Sequence, residues 1–396
     1  MANTTYTEKK ARGGLYEQIV LKFLSRMDRG RLEILLPGGE QLVIGDGQGI
    51  RANIRIRDTA FYKRCILYGN AGFGESYVDG LWDTDDISGV ISWMLLNVDK
   101  APTIPGNKRQ TRMLNLLKWS NKQYFQRSTT LPGSRRNISQ YYDLSNDFFS
   151  IFLDETMTWS GAYFERDGMD LKEAQLAKYR RLCGQLQILP TDHVLEIGSG
   201  WGSNAIYIAQ NYGCQVTSLT ISEQQYQLAC QRVKEEGLEQ QVTILLQDYR
   251  KLTGKFDKIV SVEMLEAVGS RYLKTYFRKC HELLKQEGIL ALQVITSPDS
   301  RYDSILPSLS SINAAIRRTG EMTLVDIKEM GLHYAATLKV WFMQFNSRLA
   351  AVRDLGFDER FIRKWNYYLC YCEAAFRMRN IYAMQLVYTR PNNNRH

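Results

Sequence analysis

The stretch that decides the fold reads Val194-Leu195-Glu196-Ile197-Gly198-Ser199-Gly200-Trp201-Gly202. It joins an apolar run to a helical pattern that begins at Ser203. The first two glycines let the backbone turn tightly and approach a ligand closely, because they carry no Cβ atom. The dinucleotide-binding pattern G-x-G-x-x-G would place its third glycine one residue later than Gly202. The stretch therefore predicts a strand, a turn and a helix that hold a ligand without a pyrophosphate.

A regular alternation of strands and helices follows Asp170. Asp170 and Glu173 have the spacing of a capping box, and an apolar stripe typical of a helix runs from Leu171 to Leu186. Strands are predicted at 193–197, 215–219, 242–246, 258–262 and 289–295, with helices at 203–211, 222–236 and 272–285. This alternation predicts an α/β fold, namely a Rossmann-like domain with a doubly wound, mostly parallel sheet.

The length of 396 residues predicts two domains. Short apolar runs at 32–37, 41–44 and 50–56 are separated by glycine-rich turns, which indicates hairpins in a small N-terminal α+β domain. We assign residues 1–100 to this domain, 101–136 to a basic connector and 137–396 to the Rossmann-like domain. The apolar run at 89–98 is too short to cross a bilayer and predicts a buried helix.

The N-terminal residues 1–12 are polar and lack the apolar segment of a signal peptide, so we expect a cytoplasmic protein. Seven scattered cysteines and four histidines form no metal-binding spacing; Cys370 and Cys372 lack a second pair nearby. We therefore predict no metal site and small, buried, free cysteines.

The connector at 101–136 contains eight Lys or Arg and no Asp or Glu, which accounts for nearly all of the net charge of +9. Leucines and aromatic residues are interleaved with these basic residues. This composition suits an anionic phospholipid surface, which predicts a peripheral protein on the inner face of the membrane. A solvated linker helix explains the segment equally well. Nucleic acid is the weakest alternative because no nucleic-acid motif is present, and we predict no such partner.

S-adenosylmethionine (SAM) fits the glycine-rich turn. SAM carries an ammonium and a sulfonium but no phosphate, so a carboxylate such as Glu196 beside the turn favours it. Thr220 and Gln225 follow the second strand, where many nucleotide enzymes bind a ribose. Asp248 and Tyr249 follow the third strand, where a carboxylate and a ring suit an adenine. Each residue also suits an ordinary cap or turn. We predict that SAM contacts Trp159, Ser160, Glu196, Gly198, Gly200, Trp201, Thr220, Gln225, Asp248 and Tyr249.

Further motifs extend along nearly the whole chain. They are GFGESYVDGLW at 72–82, NIS at 137–139, YDLSNDFF at 142–149, DETMTWS at 154–160, EMLEAVG at 263–269, HYAATL at 333–338, GFDERF at 356–361 and YCEAAF at 371–376. In this order they resemble the cyclopropane-fatty-acyl-phospholipid synthase family, which includes the mycolic acid cyclopropane synthases. The resemblance implies methyl transfer from SAM to the double bond of an unsaturated fatty-acyl chain in a membrane phospholipid, forming a cyclopropane ring. It also implies that residues 1–100 form a lipid-associated domain and residues 137–396 the catalytic domain.

The resemblance also implies a base that removes a proton from the new methyl group. In many family members this base is a bicarbonate, which is held by a Cys, a Glu, a His and a Tyr. Glu266 and Tyr334 match the Glu and the Tyr, whereas Gly161 and Gln293 stand where the Cys and the His are expected. Tyr141 replaces another family His. Bicarbonate is therefore an implied second cofactor whose usual ligands are incomplete in this chain.

Two carboxylates, Glu263 and Glu266, lie three residues apart after a predicted strand. That spacing can place both on one face of a helix at the carboxyl end of the sheet, where ligands bind. We predict that Glu266 carries the chemistry and that Tyr334 assists it, with Glu263 and Gln293 as further catalytic candidates. The alternative is that one Glu caps a helix or pairs with Arg271 or Lys274.

Three other functions remain compatible with the sequence. A hydride shift before proton loss would give a methylene- or methyl-branched chain instead of a ring. A SAM enzyme acting on a small molecule, such as an amine, would not need the large N-terminal domain. A non-catalytic lipid-binding protein would not need an intact SAM site. The sequence also leaves a homodimer open.

Overall fold

The computed structural model describes residues 14–100, 144–301, 306–391 and 393. The predicted basic connector, Tyr141 and the motif at 137–139 lie outside these residues. None of the described helices combines the length and the apolar character that crossing a bilayer requires. All seven cysteines lie in the described ranges and have free thiols.

The elements are numbered in chain order. They are α1 (Leu15–Leu24), β1 (Arg31–Leu35), β2 (Gln41–Ile44), β3 (Arg51–Ile56), α2 (Ala60–Val78), β4 (Trp82–Asp83), α3 (Ile87–Leu96), α4 (Asn146–Ser150), α5 (Leu171–Leu186), β5 (His193–Ile197), α6 (Ser203–Tyr212), β6 (Gln215–Thr220), α7 (Glu223–Glu235), β7 (Val242–Leu246), β8 (Phe256–Val262), α8 (Leu265–Val268), α9 (Leu273–Leu283), β9 (Leu284–Thr296), α10 (Leu309–Arg317), β10 (Thr323–Glu329), α11 (Gly331–Ser347), α12 (Leu349–Asp354), α13 (Glu359–Arg377) and β11 (Tyr382–Thr389).

The described residues form two compact units. The first contains the described part of Met1–Gln126 together with Leu349–Met378, and the second contains the described parts of Arg127–Arg348 and Arg379–His396. The domain predicted from sequence at 137–396 includes residues 349–378. The structure instead groups α12 and α13 with the N-terminal unit. The functional names given to the domains remain a prediction.

In the first unit, β1, β2, β3 and β4 form a sheet in the order β2-β1-β3-β4. Strands β1 and β2 form the predicted hairpin, but β3 pairs with β1 in parallel, so a second hairpin was a wrong prediction. The glycine-rich segment after β2 crosses over β1 instead of turning back. Gly45 has a φ of 106°, and a Cβ atom there would lie 2.1 Å from the carbonyl oxygen of Gly30.

Helix α13 packs against α2 and α3 through polar contacts as well as apolar ones. Ser88 in α3 donates a hydrogen bond to the Glu373 carboxylate, and Arg377 donates to Ser92 Oγ at 2.9 Å. Helix α3 is buried along most of its length, as predicted for the apolar run at 89–98. These side-chain contacts explain why a segment distant in sequence belongs to the first unit.

The second unit has a seven-stranded sheet within the described residues, in the order β10-β11-β9-β8-β5-β6-β7. Strands β9, β8, β5, β6 and β7 are parallel, whereas β11 runs antiparallel to both of its neighbours. Two apolar cores cover the two faces of this sheet. The predicted doubly wound, mostly parallel fold is confirmed.

The local expectations for this unit agree closely with the structure. Strands β5 and β7 have the predicted bounds, and Asp170 caps α5 by accepting a hydrogen bond from Glu173 N at 2.8 Å. The strand order reverses at β5, because β6 follows on one side and β8 lies on the other. In open α/β sheets this reversal opens a crevice at the carboxyl ends of the strands, which is where ligands bind.

Candidate active site

A pocket lies at this crevice. All ten residues that the sequence predicted around SAM line it, and so does Glu263. They are Trp159, Ser160, Glu196, Gly198, Gly200, Trp201, Thr220, Gln225, Asp248 and Tyr249. Glu266, Gln293 and Tyr334 are not among its lining residues.

The glycine-rich turn is shaped by left-handed backbone and by close packing. Gly198, Gly200 and Gly202 have φ values of 99°, 48° and 88°, which glycine adopts without strain. A Cβ atom on Gly202 would lie 3.1 Å from the Cβ atom of Ala229 in α7. A Cβ atom on Gly200 would meet nothing within 4 Å. The third glycine therefore serves helix packing, and Gly200 keeps an open approach to the backbone.

Arg232 of α7 ties the turn to the preceding segment, a role that the sequence analysis missed. Its Nη1 donates to Trp201 O at 2.9 Å, to Ser203 Oγ at 2.8 Å and to Thr156 O at 3.2 Å. One guanidinium thus donates to a carbonyl group of the glycine-rich turn, at Trp201, and to one of the preceding segment, at Thr156. No sequence signal marks this arginine, because its partners lie about 30 or more residues away and most of them are backbone carbonyl oxygens.

Glu196 is almost fully buried beneath the turn. Its carboxylate accepts hydrogen bonds from Asn204 Nδ2 at 2.8 Å and Ser218 Oγ at 2.5 Å. Burial raises the pKa of Glu196 to about 7, while these hydrogen bonds and the charge of Lys178 act to lower it. A cationic ligand in the pocket would favour the ionised carboxylate.

The two predicted nucleoside contacts are held by neighbouring side chains. Thr220 Oγ1 donates to Gln225 Oε1 at 2.9 Å, which fixes the amide that faces the pocket. Asp248 forms a two-pronged ion pair with Arg250, in which Nε and Nη2 lie 2.9 and 2.7 Å from its oxygens. Burial acts to raise the pKa of Asp248, but the Arg250 hydrogen bonds outweigh it and hold that pKa below its ordinary value.

An aromatic wall borders the pocket. Trp159 stacks on Trp341 of α11 with ring centres 4.5 Å apart, and both rings contact Phe152. Trp201 packs against Phe149 and donates from Nε1 to Asn146 Oδ1 at 2.7 Å. This wall covers one side of the pocket with apolar rings.

A buried lysine stands behind Ser160. Lys178 Nζ donates to Ser160 Oγ and to Gln175 Oε1, both at 2.6 Å, and Gln175 Nε2 donates to Ser160 O at 2.9 Å. Burial lowers the pKa of Lys178 to about 7, although nearby carboxylates led by Glu263 act to raise it. The sequence analysis missed this residue. The sequence nevertheless places Lys178 between Ala174 and Leu182 on the apolar stripe of α5, and a lysine in such a position is expected to be buried.

Glu263 accepts hydrogen bonds from two of the other catalytic candidates, Tyr334 and Gln293. Its Oε1 accepts from Gly161 N and Gln293 Nε2, both at 2.9 Å, and its Oε2 accepts from Tyr334 Oη at 2.7 Å. Burial raises the pKa of Glu263, and the hydrogen bonds from Tyr334, Gln293 and Gly161 act against that rise. The structure therefore brings Tyr334 and Gln293 to Glu263 rather than to Glu266.

Glu266 occupies a different environment. Its Oε1 accepts from Ile295 N at 2.5 Å, and its buried Oε2 has no hydrogen-bond partner among the described residues. Burial, and then repulsion by the Glu263 carboxylate, raise its pKa to about 8. The expectation that both carboxylates share one helical face was wrong, because Glu263 has left-handed backbone with a φ of 51° and precedes α8.

The ring of Tyr334 packs against Gly161 and leaves no room for the side chain of a cysteine at position 161. A Cβ atom there would lie 2.8 Å from Cγ and Cδ1 of Tyr334, which is closer than real Cβ contacts. The neighbouring Ala162 N donates to Thr337 Oγ1 of α11 at 3.0 Å. The segment around Gly161 thus lies directly against the helix that carries Tyr334.

Comparison with known proteins shows the family to which this chain belongs. The family described as mycolic acid cyclopropane synthetase matches residues 130–386. The cyclopropane-fatty-acyl-phospholipid synthase of Escherichia coli strain K12 is 37% identical over 351 residues, covering 86% of this chain and 88% of that protein. This chain belongs to the mycolic acid cyclopropane synthetase family. The resemblance found in the sequence is confirmed, and the chain is accordingly a SAM-dependent methyltransferase.

Two further relatives show the range of the family. The tuberculostearic acid methyltransferase UfaA1 of Mycobacterium tuberculosis is 38% identical over 347 residues, covering 81% of this chain and 79% of that protein. The mycolic acid cyclopropane synthase CmaA1, solved in complex with SAH and CTAB, has a TM-score of 0.61 and 28% identity, covering 65% of this chain and 98% of that one. Family members are thus named both for ring products and for a methyl-branched acid.

The pocket of this chain fits SAM. An open backbone at Gly200, a buried carboxylate at Glu196 and the paired hydroxyl and amide of Thr220 and Gln225 match a cationic amino acid joined to a nucleoside. When bound, SAM supplies an electrophilic methyl group.

Proposed function

We propose that this enzyme transfers a methyl group from SAM to the double bond of an unsaturated fatty-acyl chain of a membrane phospholipid and forms a cyclopropane ring. One observation carries the proposal. Glu263, whose carboxylate is held by three donors, lines the same pocket as the SAM residues. An alkene needs no base before it attacks a methyl group, but it needs a proton acceptor afterwards.

In this proposal the chain binds SAM through the glycine-rich turn and the residues that follow β6 and β7. Backbone at Gly198 and Gly200 approaches the amino-acid part, Thr220 and Gln225 face the ribose, and Asp248 with Tyr249 faces the adenine. Trp159 and Ser160 close the pocket from the preceding segment. Arg232 connects the glycine-rich turn to the segment before it through four oxygen partners, on Glu155, Thr156, Trp201 and Ser203.

The aromatic wall has two tasks during the reaction. Stacked rings such as Trp159 and Trp341 exclude water, which would otherwise capture a cation on the acyl chain. The faces of aromatic rings also attract positive charge, by about 0.5–2 kcal/mol per favourable contact. Both effects suit an apolar substrate that becomes transiently cationic.

The second candidate product is a methylene- or methyl-branched chain. It is supported by the relative named for tuberculostearic acid, whose identity of 38% is close to the 37% of the cyclopropane-forming relative. The unusual Gly161 and Gln293 also give the acceptor an environment different from the one that the resemblance implied. Both products lose a proton from the new methyl group, so the product depends on whether the hydride shifts before the acceptor takes that proton.

The deciding experiment is product analysis after incubation with SAM and phospholipid vesicles that contain monounsaturated chains. Both cyclopropane and methylene products add one CH₂ to the acyl chain, so mass alone does not separate them. Proton NMR does, because ring protons resonate far upfield and methylene protons lie in the alkene region. Methylation of a small amine with untouched lipid would refute the proposal.

We further propose that the enzyme works at an anionic phospholipid surface on the inner face of the membrane. The support is the acyl substrate and the composition of residues 101–136, with eight basic and no acidic side chains. The lipid-associated role of the N-terminal domain belongs to the same proposal. A homodimer remains a prediction from sequence.

A further inference from the structure

The pocket presents three carboxylates, Glu196, Asp248 and Glu263, and their surroundings differ. Asp248 is neutralised by the two-pronged ion pair with Arg250. Glu196 is only 2% exposed and is held beneath the turn by Ser218 and Asn204. Glu263 is partly exposed and its hydrogen-bond donors are neutral groups. It is therefore the carboxylate most available to a substrate.

The backbone at Glu263 is strained in a way that serves this placement. A φ of 51° is unusual for a residue other than glycine and costs of order 1–3 kcal/mol. Such residues persist only where the surrounding structure holds them, and they cluster at functional sites. The conformation is fixed from both sides, because Glu263 N donates to Gln293 O at 2.7 Å while the Gln293 side chain donates to Oε1. The turn directs the carboxylate into the pocket instead of along α8.

The donors around Glu263 are themselves fixed. Gln293 Nε2 also donates to Gly161 O at 2.9 Å, and its Oε1 accepts from Gln385 Nε2 at 3.0 Å, so its amide orientation is defined. Tyr334 lies against Gly161, where no side chain competes for space. The three hydrogen bonds favour the ionised carboxylate and act against the rise in pKa that burial causes.

Glu266 lacks these properties. It is absent from the pocket lining, and its pKa of about 8 leaves it mainly as a neutral acid at pH 7. Repulsion by Glu263 contributes to that raised pKa. Two adjacent carboxylates that cannot both ionise divide the roles between a base and a neutral neighbour.

We propose that Glu263 is the catalytic base of this enzyme and takes the proton that the methylated acyl chain releases. The inference rests on the proposed function. After methyl transfer, one C–H bond of the new methyl group breaks, its electron pair forms the C–C bond that closes the ring, and the proton goes to a Glu263 carboxylate oxygen. If a hydride shift first moves the cation to the carbon that bears the new methyl group, the electron pair of the same methyl C–H bond forms the C=C bond of a methylene group instead. Tyr334, Gln293 and the Gly161 N–H position the base, and no bound anion takes part.

Glu263→Gln and Glu263→Gly test this proposal in the full-length protein. Glu263→Gln keeps the volume and removes the basic oxygen, so we expect kcat to fall by about 10²-fold or more. Glu263→Gly suits the left-handed backbone and therefore folds even if the Gln variant does not. The space left in Glu263→Gly should admit formate, and added formate should restore part of the turnover. Calorimetry should give both variants an SAH affinity within about threefold of wild type.

Two further measurements test bicarbonate and Glu266 as alternative bases. Wild-type turnover should be unchanged in buffer freed of carbon dioxide, and Glu266→Gln should lose less activity than Glu263→Gln. Glu235→Gln, which removes an exposed carboxylate from α7, controls for general charge effects. An active wild type with an equally active Glu263→Gln, or with turnover that requires added bicarbonate, overturns this inference alone. A wild type that methylates no unsaturated phospholipid overturns the proposed function and this inference with it.

Discussion

A Cβ atom on Gly161 would lie 2.8 Å from Cγ of Tyr334, so the glycine and the tyrosine ring fit together only without a side chain at 161. The same glycine donates its N–H to Glu263, and Tyr334 donates its hydroxyl to the other oxygen of that carboxylate. The contact between residues 161 and 334 therefore sets the geometry around the proposed base.

Gly161→Ala is expected to displace Tyr334 and weaken its hydrogen bond to Glu263. A misplaced catalytic group costs up to about 10²-fold in rate, and overpacking costs about 1–3 kcal/mol of unfolding free energy. Steady-state kinetics and urea unfolding measure the two effects. Gly184→Ala in α5 is the matched control, since a Cβ atom there meets nothing within 4 Å. Equal kinetics for the two variants would refute the steric argument.

The activity of the wild-type enzyme should fall on the acid side of its pH profile. Burial raises the pKa of Glu263 above the ordinary 4.5, so the base is lost by protonation at a higher pH than an exposed Glu would show. Lys178 opposes this rise. Lys178→Met should therefore move the acid limb of kcat to higher pH. A limb that stays in place would show that Lys178 does not act on the base.

The stability of the protein should also respond to Lys178. Its pKa of about 7 in the folded state lies below the ordinary 10.5, so the unfolded state holds the proton more tightly. The contribution of this group to the unfolding free energy is present above pH 10.5 and is lost as pH falls towards 7. Lys178→Met abolishes this pH-dependent loss. The unfolding free energy of the variant minus that of wild type should therefore be larger at pH 7 than at pH 9. Urea unfolding at both pH values measures this, with the exposed Lys172→Met as control.

Arg232→Met should weaken cofactor binding. The variant loses the four hydrogen bonds that the guanidinium donates to Glu155, Thr156, Trp201 and Ser203, which loosens the contact between the glycine-rich turn and the segment before it. A hydrogen bond from a charged donor contributes about 1.5–3 kcal/mol. We expect the Kd for SAH to rise by about tenfold or more, which corresponds to about 1.4 kcal/mol. Lys234→Met removes an exposed charge from the same helix and should leave the Kd unchanged. Equal affinities in calorimetry would contradict the role of Arg232.

Binding to anionic vesicles should depend on residues 101–136. Replacing Lys108, Arg109 and Arg112 by Glu should release the protein, because each basic residue near a charged surface contributes about 1 kcal/mol. Cosedimentation with phosphatidylglycerol vesicles at low and high salt measures the effect. The same change at Arg166, Arg180 and Lys234 controls for net charge. If both triple variants bind as well as wild type, the connector is not the membrane contact.

Local patterns in the sequence were sufficient for the Rossmann-like fold and for the predicted lining of its pocket. Strands β5 and β7 were predicted with their observed bounds, because alternating apolar runs and caps are set by neighbouring residues. Eight of the ten positions predicted around SAM lie at or after the carboxyl ends of the consecutive parallel strands β5, β6 and β7, and this topology brings such positions to one crevice. The other two, Trp159 and Ser160, come from the segment before the sheet.

The sequence alone did not reveal which of Glu263 and Glu266 lines the pocket. The assignment of Glu266 rested on the resemblance and on an assumed helical spacing, whereas a left-handed turn at Glu263 separates the two side chains. The donors to Glu263 come from residues 161, 293 and 334, which are far apart in the chain. Lys178, Arg232 and the return of α13 to the first unit likewise depend on long-range contacts. By itself the sequence determined the Rossmann-like unit and its SAM pocket, because nearest-neighbour propensities and strand topology suffice for them. Only the tertiary structure decided the environment of each carboxylate, because burial and hydrogen bonding across the sheet are properties of the folded chain.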